Sequence, residues 1–306
     1  MALFKLPRWL KTPLPILVLQ IEGTALRFVL RAGQRVLKSG VITLPAHVMV
    51  GRAFDVLEVR TLLLAQLDGS AADVAVLLPA AAVHIHFLTV PMGLDEDELD
   101  YQTSRHITHE LGLSLADVYY DWTQADELSK QGQTVVLAVA RQSEVAQYAQ
   151  LLGDTALRLR WVCAEPLVWA QAYEGTRYAV CKIEHDGMQV YWFEANGRVR
   201  VWSKSFDAEQ MGRAGFEYIS GAVVRLPTRF VVDEIDNALS QILGEADKQR
   251  LHSLYVSGAA VNWVDALPAL QAGLGVPVRL SSMTTDEHNA LGGLWQLSEQ
   301  ILKEKA

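Results

Sequence analysis

Apolar residues in this chain fall into short continuous runs and into helical spacings of three and four, separated by polar breaks. Residues 17–30 form two apolar segments around a break that contains Gly23, a pattern typical of a strand, a tight turn and a second strand. Residues 178–193 repeat the pattern more weakly around Gly187, and an Ile–Glu pair precedes each turn. The repeat predicts two halves that begin alike. The alternative is two unrelated hairpins, because self-similarity is strong evidence only at a regular period.

Further elements are predicted where apolar runs or helical spacings recur. The helix near residue 95 has the clearest start, because Asp95 and Glu98 form a capping-box pattern. The predicted strands lie at residues 41–44, 74–78, 83–90, 118–123, 134–140, 157–164, 198–202, 254–256 and 276–280. The predicted helices lie at residues 52–67, 95–111, 143–152, 165–173, 230–243, 266–272 and 291–302.

This order of elements predicts an α/β protein with an insertion in its first half. Residues 1–15 form an N-terminal tail, and residues 16–82 together with 158–175 form a first lobe. Residues 83–157 have the order strand, helix, strand, strand, helix and form an inserted subdomain. Residues 176–306 form a second lobe.

The composition is typical of a globular protein and argues against some classes of binding partner. Of 306 residues, 50% are hydrophobic and 20% are charged, which argues against a disordered chain. The net charge of −8 argues against a broad basic surface of the kind that binds nucleic acid. No apolar run has the length of a membrane span, and Lys11, Pro13 and Pro15 interrupt any signal-peptide core. A cytoplasmic location is therefore expected.

Four stretches, taken in order, carry a resemblance to a known family. In residues 90–121, a strand ending at Pro91 leads into an acidic helix start and then into Leu-Ser-Leu-Ala-Asp-Val-Tyr-Tyr-Asp. Residues 137–141, 256–260 and 290–294 are similar to further family segments. With them the chain resembles PilM, the actin-like protein of type IV pilus assembly, in particular its divergent MSHA-type or competence (DNA-uptake) members. The cytoplasmic domain of GspL is a more distant resemblance. This resemblance implies an actin-like, duplicated ribonuclease H-like fold, with the insertion as its 1C subdomain and the first lobe as its 1A subdomain.

The resemblance also implies a nucleotide site between the two hairpin turns, and here the chain departs from the family. Family turns read Asp-Ile-Gly, whereas this chain has Gln20 and Glu22 around the first Ile, and Lys182 and Glu184 around the second. The two glutamates would lie near the phosphates, where like charges about 4 Å apart repel by about 4 kcal/mol at an effective dielectric of about 20. Lys182 would offset part of this. The departures predict a degenerate site without ATP hydrolysis, and hence a protein that is not an enzyme.

A retained site is the alternative, with ATP and magnesium bound after the turns shift by one residue. Its nucleotide-binding residues would be Gln20, Gly23, Thr24, Asp186, Gly187, Gly258 and Ala259.

A peptide groove is the second site that the resemblance implies. PilM proteins hold the short cytoplasmic tail of PilN, a membrane protein with one span, between the first lobe and the insertion. An extended tail would lie against apolar side chains and a strand edge. The predicted groove residues are Leu88, Val90, Leu99, Thr103, Ile107, Tyr119 and Tyr120. Most of them would also build the core of the insertion.

Two histidine pairs are the remaining candidates for metal ligands. His84 and His86 share one face of a strand, and His106 and His109 are three residues apart on a helix. No further cluster completes either pair, and the acidic residues 95–100 are explained as a capped helix start. No metal site is predicted.

Two functions from different classes remain open. The first is a non-catalytic scaffold of a type IV pilus inner-membrane platform, which binds a PilN-like tail, reaches the membrane through that partner and contacts the pilus motor ATPase. The alternative is a working ATP-binding switch with weak ATPase activity in the same machinery. Neither involves nucleic acid.

Overall fold

Strands and helices are mixed along the part of the chain that the structure describes. The computed structural model describes residues 14–129, 132–173, 177–184, 187–194, 198–206, 217–219, 223–248, 251–258, 260–281 and 291–305. The strands are β1 (Ile16–Glu22), β2 (Ala25–Ala32), β3 (Arg35–Thr43), β4 (Met49–Val50), β5 (Ala53–Phe54), β6 (Ala72–Leu78), β7 (Val83–Val90), β8 (Val118–Ser129), β9 (Gly132–Arg141), β10 (Leu157–Ala164), β11 (Tyr178–Glu184), β12 (Gly187–Phe193), β13 (Val199–Ser205), β14 (Glu217–Ile219), β15 (Val223–Arg225), β16 (Ser253–Ser257) and β17 (Val278–Leu280). The helices are α1 (Val56–Leu67), α2 (Glu96–His109), α3 (Gln142–Leu152), α4 (Glu165–Ala172), α5 (Thr228–Lys248), α6 (Trp263–Leu274) and α7 (Gly292–Lys305). None of the helices within the described ranges is long and apolar enough to cross a membrane.

Two five-stranded sheets repeat one arrangement of strands. The first sheet has the order β10-β6-β1-β2-β3, and the second has the order β17-β16-β11-β12-β13. In each sheet a hairpin and a third strand run antiparallel. The other two strands run parallel to the first strand of the hairpin. The described residues therefore form the two like halves that the hairpin repeat predicts.

The continuous apolar pattern of the first hairpin follows from burial on both faces of its sheet. Side chains of α1 such as Leu63 pack on one face, and side chains of α7 such as Leu294 pack on the other. A sheet that is covered on both faces has apolar runs rather than alternation. Gly23 has a φ of +53°, which the tight turn requires and glycine adopts without strain.

The helix α7 is fixed to the first sheet by a buried arginine. Arg31 Nη1 donates to Ser298 Oγ at 2.9 Å and also pairs with Glu299. Its guanidinium carbon lies 4.5 Å from the centroid of the Trp295 ring, within the range of a cation–π contact. These contacts hold α7 over one face of the first sheet, away from the turn end of the β1–β2 hairpin.

A third, three-stranded sheet has the order β7-β9-β8. The helix α2 begins with the predicted capping box, because Asp95 Oδ1 accepts from Glu98 N at 2.9 Å and Glu98 Oε2 accepts from Asp95 N at 3.0 Å. It covers one face of this small sheet through residues such as Leu99 and Ile107. The other face of the small sheet packs against α3 and is part of the hydrophobic core of the first sheet.

Two predicted strand boundaries are wrong for the same reason. β8 continues to Ser129, although the polar residues 124–132 predict a turn. β3 is one strand from Arg35 to Thr43, although the pattern predicts a hairpin that ends near Lys38 and a separate strand at residues 41–44. Both are the last strand of their sheets, and an edge strand tolerates polar residues because water reaches it.

Candidate functional site

The turn ends of β1 and β11 bring charged side chains of both five-stranded sheets together. β1 contributes Gln20 and Glu22, and β11 contributes Lys182 and Glu184. Neighbouring elements add further polar groups at the same point. We define the cleft cluster as Gln20, Glu22, Arg27, Glu165, Lys182, Glu184, Gln189 and Tyr191.

Lys182 is the centre of the cleft cluster. Its side chain is only 6% exposed, and Nζ lies 3.0 Å from Glu165 Oε1 and 3.3 Å from Oε2. The same ammonium pairs with Glu22 and lies 3.5 Å from Gln20 Oε1. Gln20 Nε2 in turn donates to Glu165 Oε2 at 2.9 Å. One lysine of the second sheet therefore joins a carboxylate of the first sheet to a carboxylate at the start of α4.

Arg27 forms a second ionic link between the sheets. Its Nη2 lies 2.9 Å from Glu184 Oε2, and its Nη1 lies 3.7 Å from Glu22 Oε2. Gln189 Nε2 donates to Glu22 Oε1 at 2.8 Å, and Tyr191 Oη donates to Gln189 Oε1 at 2.5 Å. The cluster borders a cavity of about 210 Å³.

The pKa values of the cluster follow from burial and ion pairing acting in opposite directions. Burial opposes the charge on Lys182, but the attraction of Glu165 and Glu22 exceeds it and raises the pKa of Lys182. Burial opposes ionisation of Glu22, yet Lys182 and Arg27 together lower its pKa. Burial raises the pKa of Glu165, and Lys182 offsets this only in part. Glu165 is therefore harder to ionise than Glu22.

Glu22 and Glu184, which the sequence predicts to lie near the phosphates of a nucleotide and to repel them, are both paired with cations of the protein. Arg27 pairs with both carboxylates, and Lys182 pairs with Glu22 as well. Buried charges occur in proteins when they are paired in this way. Each of the two acids thus has a cationic partner within the cleft cluster.

Two of the candidate nucleotide-binding glycines have packing reasons for being glycine. A Cβ on Gly258 would lie 1.9 Å from the carbonyl oxygen of Ile183, and its φ of +120° is unfavourable for other residues. A Cβ on Gly187 would lie 2.5 Å from the carbonyl oxygen of Lys204. These glycines allow neighbouring backbones to approach closely.

The other candidates of this set lie at different places. Gln20 is buried in the cleft cluster, whereas Gly23 and Thr24 form the turn between β1 and β2. Thr24 O accepts from Leu44 N at 2.7 Å. Asp186 and Ala259 lie outside the described residues.

Sequence reasoning missed Arg27, Glu165, Gln189 and Tyr191. A signal for Arg27 is present, because it interrupts an otherwise apolar, doubly covered strand, and buried charges are seldom left unpaired. Glu165 carries no such signal, since an acid at a helix start is ordinary.

Most of the predicted groove residues are in the core of the small sheet. Leu99, Thr103 and Ile107 are at most 1% exposed, and Val90 is buried as well. They cannot contact a partner, because they pack between α2 and the small sheet. Their prediction as groove residues is therefore wrong, because the apolar face of α2 packs against the small sheet.

The other three predicted groove residues remain at the surface. Leu88 is half-buried beside His106. Tyr120 is half-buried, and its hydroxyl lies 2.9 Å from Ser104 Oγ and 3.1 Å from Asp100 Oδ1. Tyr119 is 55% exposed.

A groove lies between the small sheet and the first sheet. β8 contributes Tyr119 and Asp121, β10 contributes Val162 and Cys163, and α3 contributes Val145. The cavity has a volume of about 130 Å³. β8 and β10 are each the last strand of their sheet. We call this cavity the edge groove.

The histidines do not form a metal centre in the described part of the chain. The rings of His86 and His106 are 5.2 Å apart at their centroids. Burial, together with the repulsion of His106, lowers the pKa of His86. Within the described ranges, no group of three His, Cys, Asp or Glu residues is arranged to hold a metal ion.

No protein-family model and no curated protein sequence matches this chain. Among solved structures, the chain is similar to one described as the PilM-PilN type IV pilus biogenesis complex. The TM-score is 0.67 at 15% identity, over 94% of this chain and 98% of that chain.

Two further structures share the arrangement. The cytoplasmic domain of EpsL, an inner membrane component of the type II secretion system of Vibrio cholerae, has a TM-score of 0.50 at 12% identity, over 94% of this chain and 95% of that chain. The ethanolamine utilization protein EutJ of Carboxydothermus hydrogenoformans has a TM-score of 0.51 at 11% identity, over 94% of this chain and 89% of that chain. At these identities the similarity establishes the fold, so the predicted actin-like α/β fold is confirmed.

Proposed function

We propose that this chain is a non-catalytic scaffold of a type IV pilus inner-membrane platform and that it binds the cytoplasmic tail of a PilN-like membrane protein. The proposal is supported by the similarity to a PilM structure solved with PilN, which extends over 94% of the chain. In this proposal the protein reaches the inner membrane through its partner and contacts the pilus motor ATPase. Residues 16–82 with 158–175 and residues 176–306 form the two-lobed frame, and residues 83–157 form the docking subdomain.

The cleft residues do not fit a nucleoside triphosphate with magnesium. Lys182 and Arg27, the two cations of the cleft cluster, already pair with three carboxylates. A phosphate group would have to displace these carboxylates, and a buried carboxylate without its cation costs several kcal/mol. Magnesium prefers a free carboxylate beside the phosphates. The cluster thus favours a frame that needs no nucleotide.

The observation that carries the proposal is the edge groove. Its lining combines exposed apolar side chains with the last strands of two sheets. Tyr119 and Val162 are both among the exposed large apolar residues. An extended peptide can add its backbone to such an edge and place alternate side chains in the cavity. A short membrane-protein tail has the length and freedom to do this.

Binding of a synthetic tail tests the proposal. The measurement is fluorescence anisotropy of a labelled peptide that comprises the cytoplasmic tail of the PilN-like protein from the same organism. We expect saturable binding, weakened about tenfold or more by Tyr119→Ala, because exposed aromatic residues in grooves are common binding hot spots.

The matched control is Tyr101→Ala, which removes another exposed tyrosine (65%) from α2 outside the groove. It should leave the affinity unchanged. A folded protein that binds no tail at tens of micromolar (about 10⁻⁵ M, a weak but ordinary affinity for a short peptide) would contradict the proposal.

A further inference from the structure

The edge groove continues along β8 into an acidic surface. A second cavity, of about 560 Å³, is lined by Glu96, Asp97, Asp100, Asp121 and Trp122. Asp121 borders both cavities. At about 3.3 Å per residue, the strand from Tyr119 to Gln124 spans about 17 Å. One strand edge therefore has an apolar end and an acidic end.

Two elements supply the carboxylates of this surface. Glu96 and Asp97 belong to the first turn of α2, where the helix dipole explains an acidic residue. Asp121 belongs to β8 and has no such explanation. Asp100 accepts from Tyr120 Oη at 3.1 Å and from Trp122 Nε1 at 3.4 Å, which orients its carboxylate beside the strand.

The negative charge of this surface is not compensated within the described part of the chain. The ion pairs found there connect none of these four acids to a lysine or an arginine. The same part of the chain has no three-ligand group for a metal ion. A cationic side chain is thus the complementary group.

We propose that the β8 edge selects an extended, cationic tail. Aliphatic residues of the tail enter the edge groove beside Tyr119, and its Lys or Arg residues, a few positions along, lie over Asp97, Asp100 and Asp121. This inference rests on the proposed function and specifies the chemistry of the partner. Cytoplasmic segments next to a membrane span are rich in Lys and Arg, so a tail of this kind offers the required charge.

Charge-neutral variants of both partners test the inference. The protein variant is Asp97→Asn with Asp121→Asn, and its control is Asp117→Asn with Asp154→Asn, which removes the same charge from positions that do not line the two cavities. The peptides are the tail described above and a version in which every Lys and Arg is Gln. Circular dichroism confirms that each variant is folded.

We expect the Asp97/Asp121 variant to bind the tail about five- to tenfold more weakly, since each exposed ion pair contributes little and two are removed. The Gln peptide should show at least this loss with unaltered protein, because it also lacks the contact with Asp100, and no further loss with the variant. Affinity for the original tail should fall as salt rises. The control variant should bind as the unaltered protein does.

Two outcomes are distinguishable. If the tail binds the Asp97/Asp121 variant as tightly as the unaltered protein, or has no Lys or Arg, the inference is overturned while the proposed function stands. If the tail binds no form of the folded protein, both the proposed function and this inference are wrong.

Discussion

At the scale of single residues, Lys182 has the most consequential position in the molecule. An ammonium in an apolar strand is stable only if carboxylates replace its lost water. Glu165 and Glu22 do so from two other elements, while Arg27 pairs with the remaining acid, Glu184. The cost of removing one member therefore depends on which charge is left without a partner.

Lys182→Met should reduce the free energy of unfolding by about 3–5 kcal/mol, because it leaves the buried Glu165 without its cation. Urea denaturation measures the change. Adding Glu165→Gln should recover part of it, since Glu165 is then neutral and only Glu22, which Arg27 still contacts, has lost a cation. Lys38→Met is the matched control: its partner Asp68 is exposed, so the change should stay within about 1 kcal/mol. Equal effects of the two lysine variants would contradict this role of Lys182.

Glu22→Gln should have an effect that depends on pH. The pKa of Glu22 in the folded protein lies below its ordinary value of 4.5, so the unfolded chain binds more protons near that pH. The stability from ionised Glu22 is therefore present above about pH 4.5 and is lost as the pH falls through the folded pKa.

At neutral pH we expect the variant to be less stable by about 1–3 kcal/mol, the range for hydrogen bonds to a charged group. The difference from the unaltered protein should shrink as the pH falls below about 4.5. Denaturation series at several pH values measure this. A difference that stays constant into acid would mean that ionised Glu22 contributes no stability.

At the scale of elements, the sequence predicts the strands and helices that a local pattern of residues determines. It misses the features that depend on contacts between distant parts of the chain. The hairpin of β1 and β2 is evident because its apolar runs are covered on both faces, and the start of α2 is evident from Asp95 and Glu98. The start of α1 is predicted too early, since Asp55 caps it by accepting from Leu57 N and Glu58 N. The hairpins β4–β5 and β14–β15 are too short to leave a pattern.

The candidate site is less predictable than the elements that build it. Glu22 and Lys182 are visible as departures from a family pattern, but their pairing depends on how two sheets meet. Glu165 joins them from a position 17 residues before Lys182 along the chain. The sequence assigns the apolar stripe of α2 to the peptide groove as well as to the core, because periodicity identifies one face of a helix without saying which neighbour covers it.

Gly258 provides a prediction at this scale, because it lets the segment after β16 lie against β11. Gly258→Ala should destabilise the protein by about 3 kcal/mol or more, since the new Cβ would meet the carbonyl oxygen of Ile183 in a strained backbone conformation. Thermal unfolding measures the change. Gly33→Ala, also at positive φ but with nothing within 4 Å, should cost only about 1–2 kcal/mol. Similar losses of stability for both variants would indicate that the positive φ, and not the close approach to Ile183, is the reason for glycine at position 258.

At the scale of the whole molecule, the two like halves are joined by charge at the point where their hairpin turns meet. Both ionic links of the cleft cluster cross from one five-stranded sheet to the other. Opening the cleft would therefore separate both of these ion pairs. These links connect the two five-stranded sheets without a bound ligand.

Mg-ATP should consequently leave the melting temperature unchanged. A ligand that binds only the folded state stabilises it by RT ln(1 + [L]/Kd), about 2.7 kcal/mol at a hundredfold excess over Kd. Differential scanning fluorimetry at millimolar nucleotide would detect such a gain. Lys182→Met with Glu165→Gln and Glu22→Gln is the informative comparison, because it removes the ionic link through Lys182 without leaving a buried charge alone there. Stabilisation of the unaltered protein would contradict the proposal that the frame needs no nucleotide, whereas stabilisation of the triple variant alone would mean that the cluster itself excludes the nucleotide.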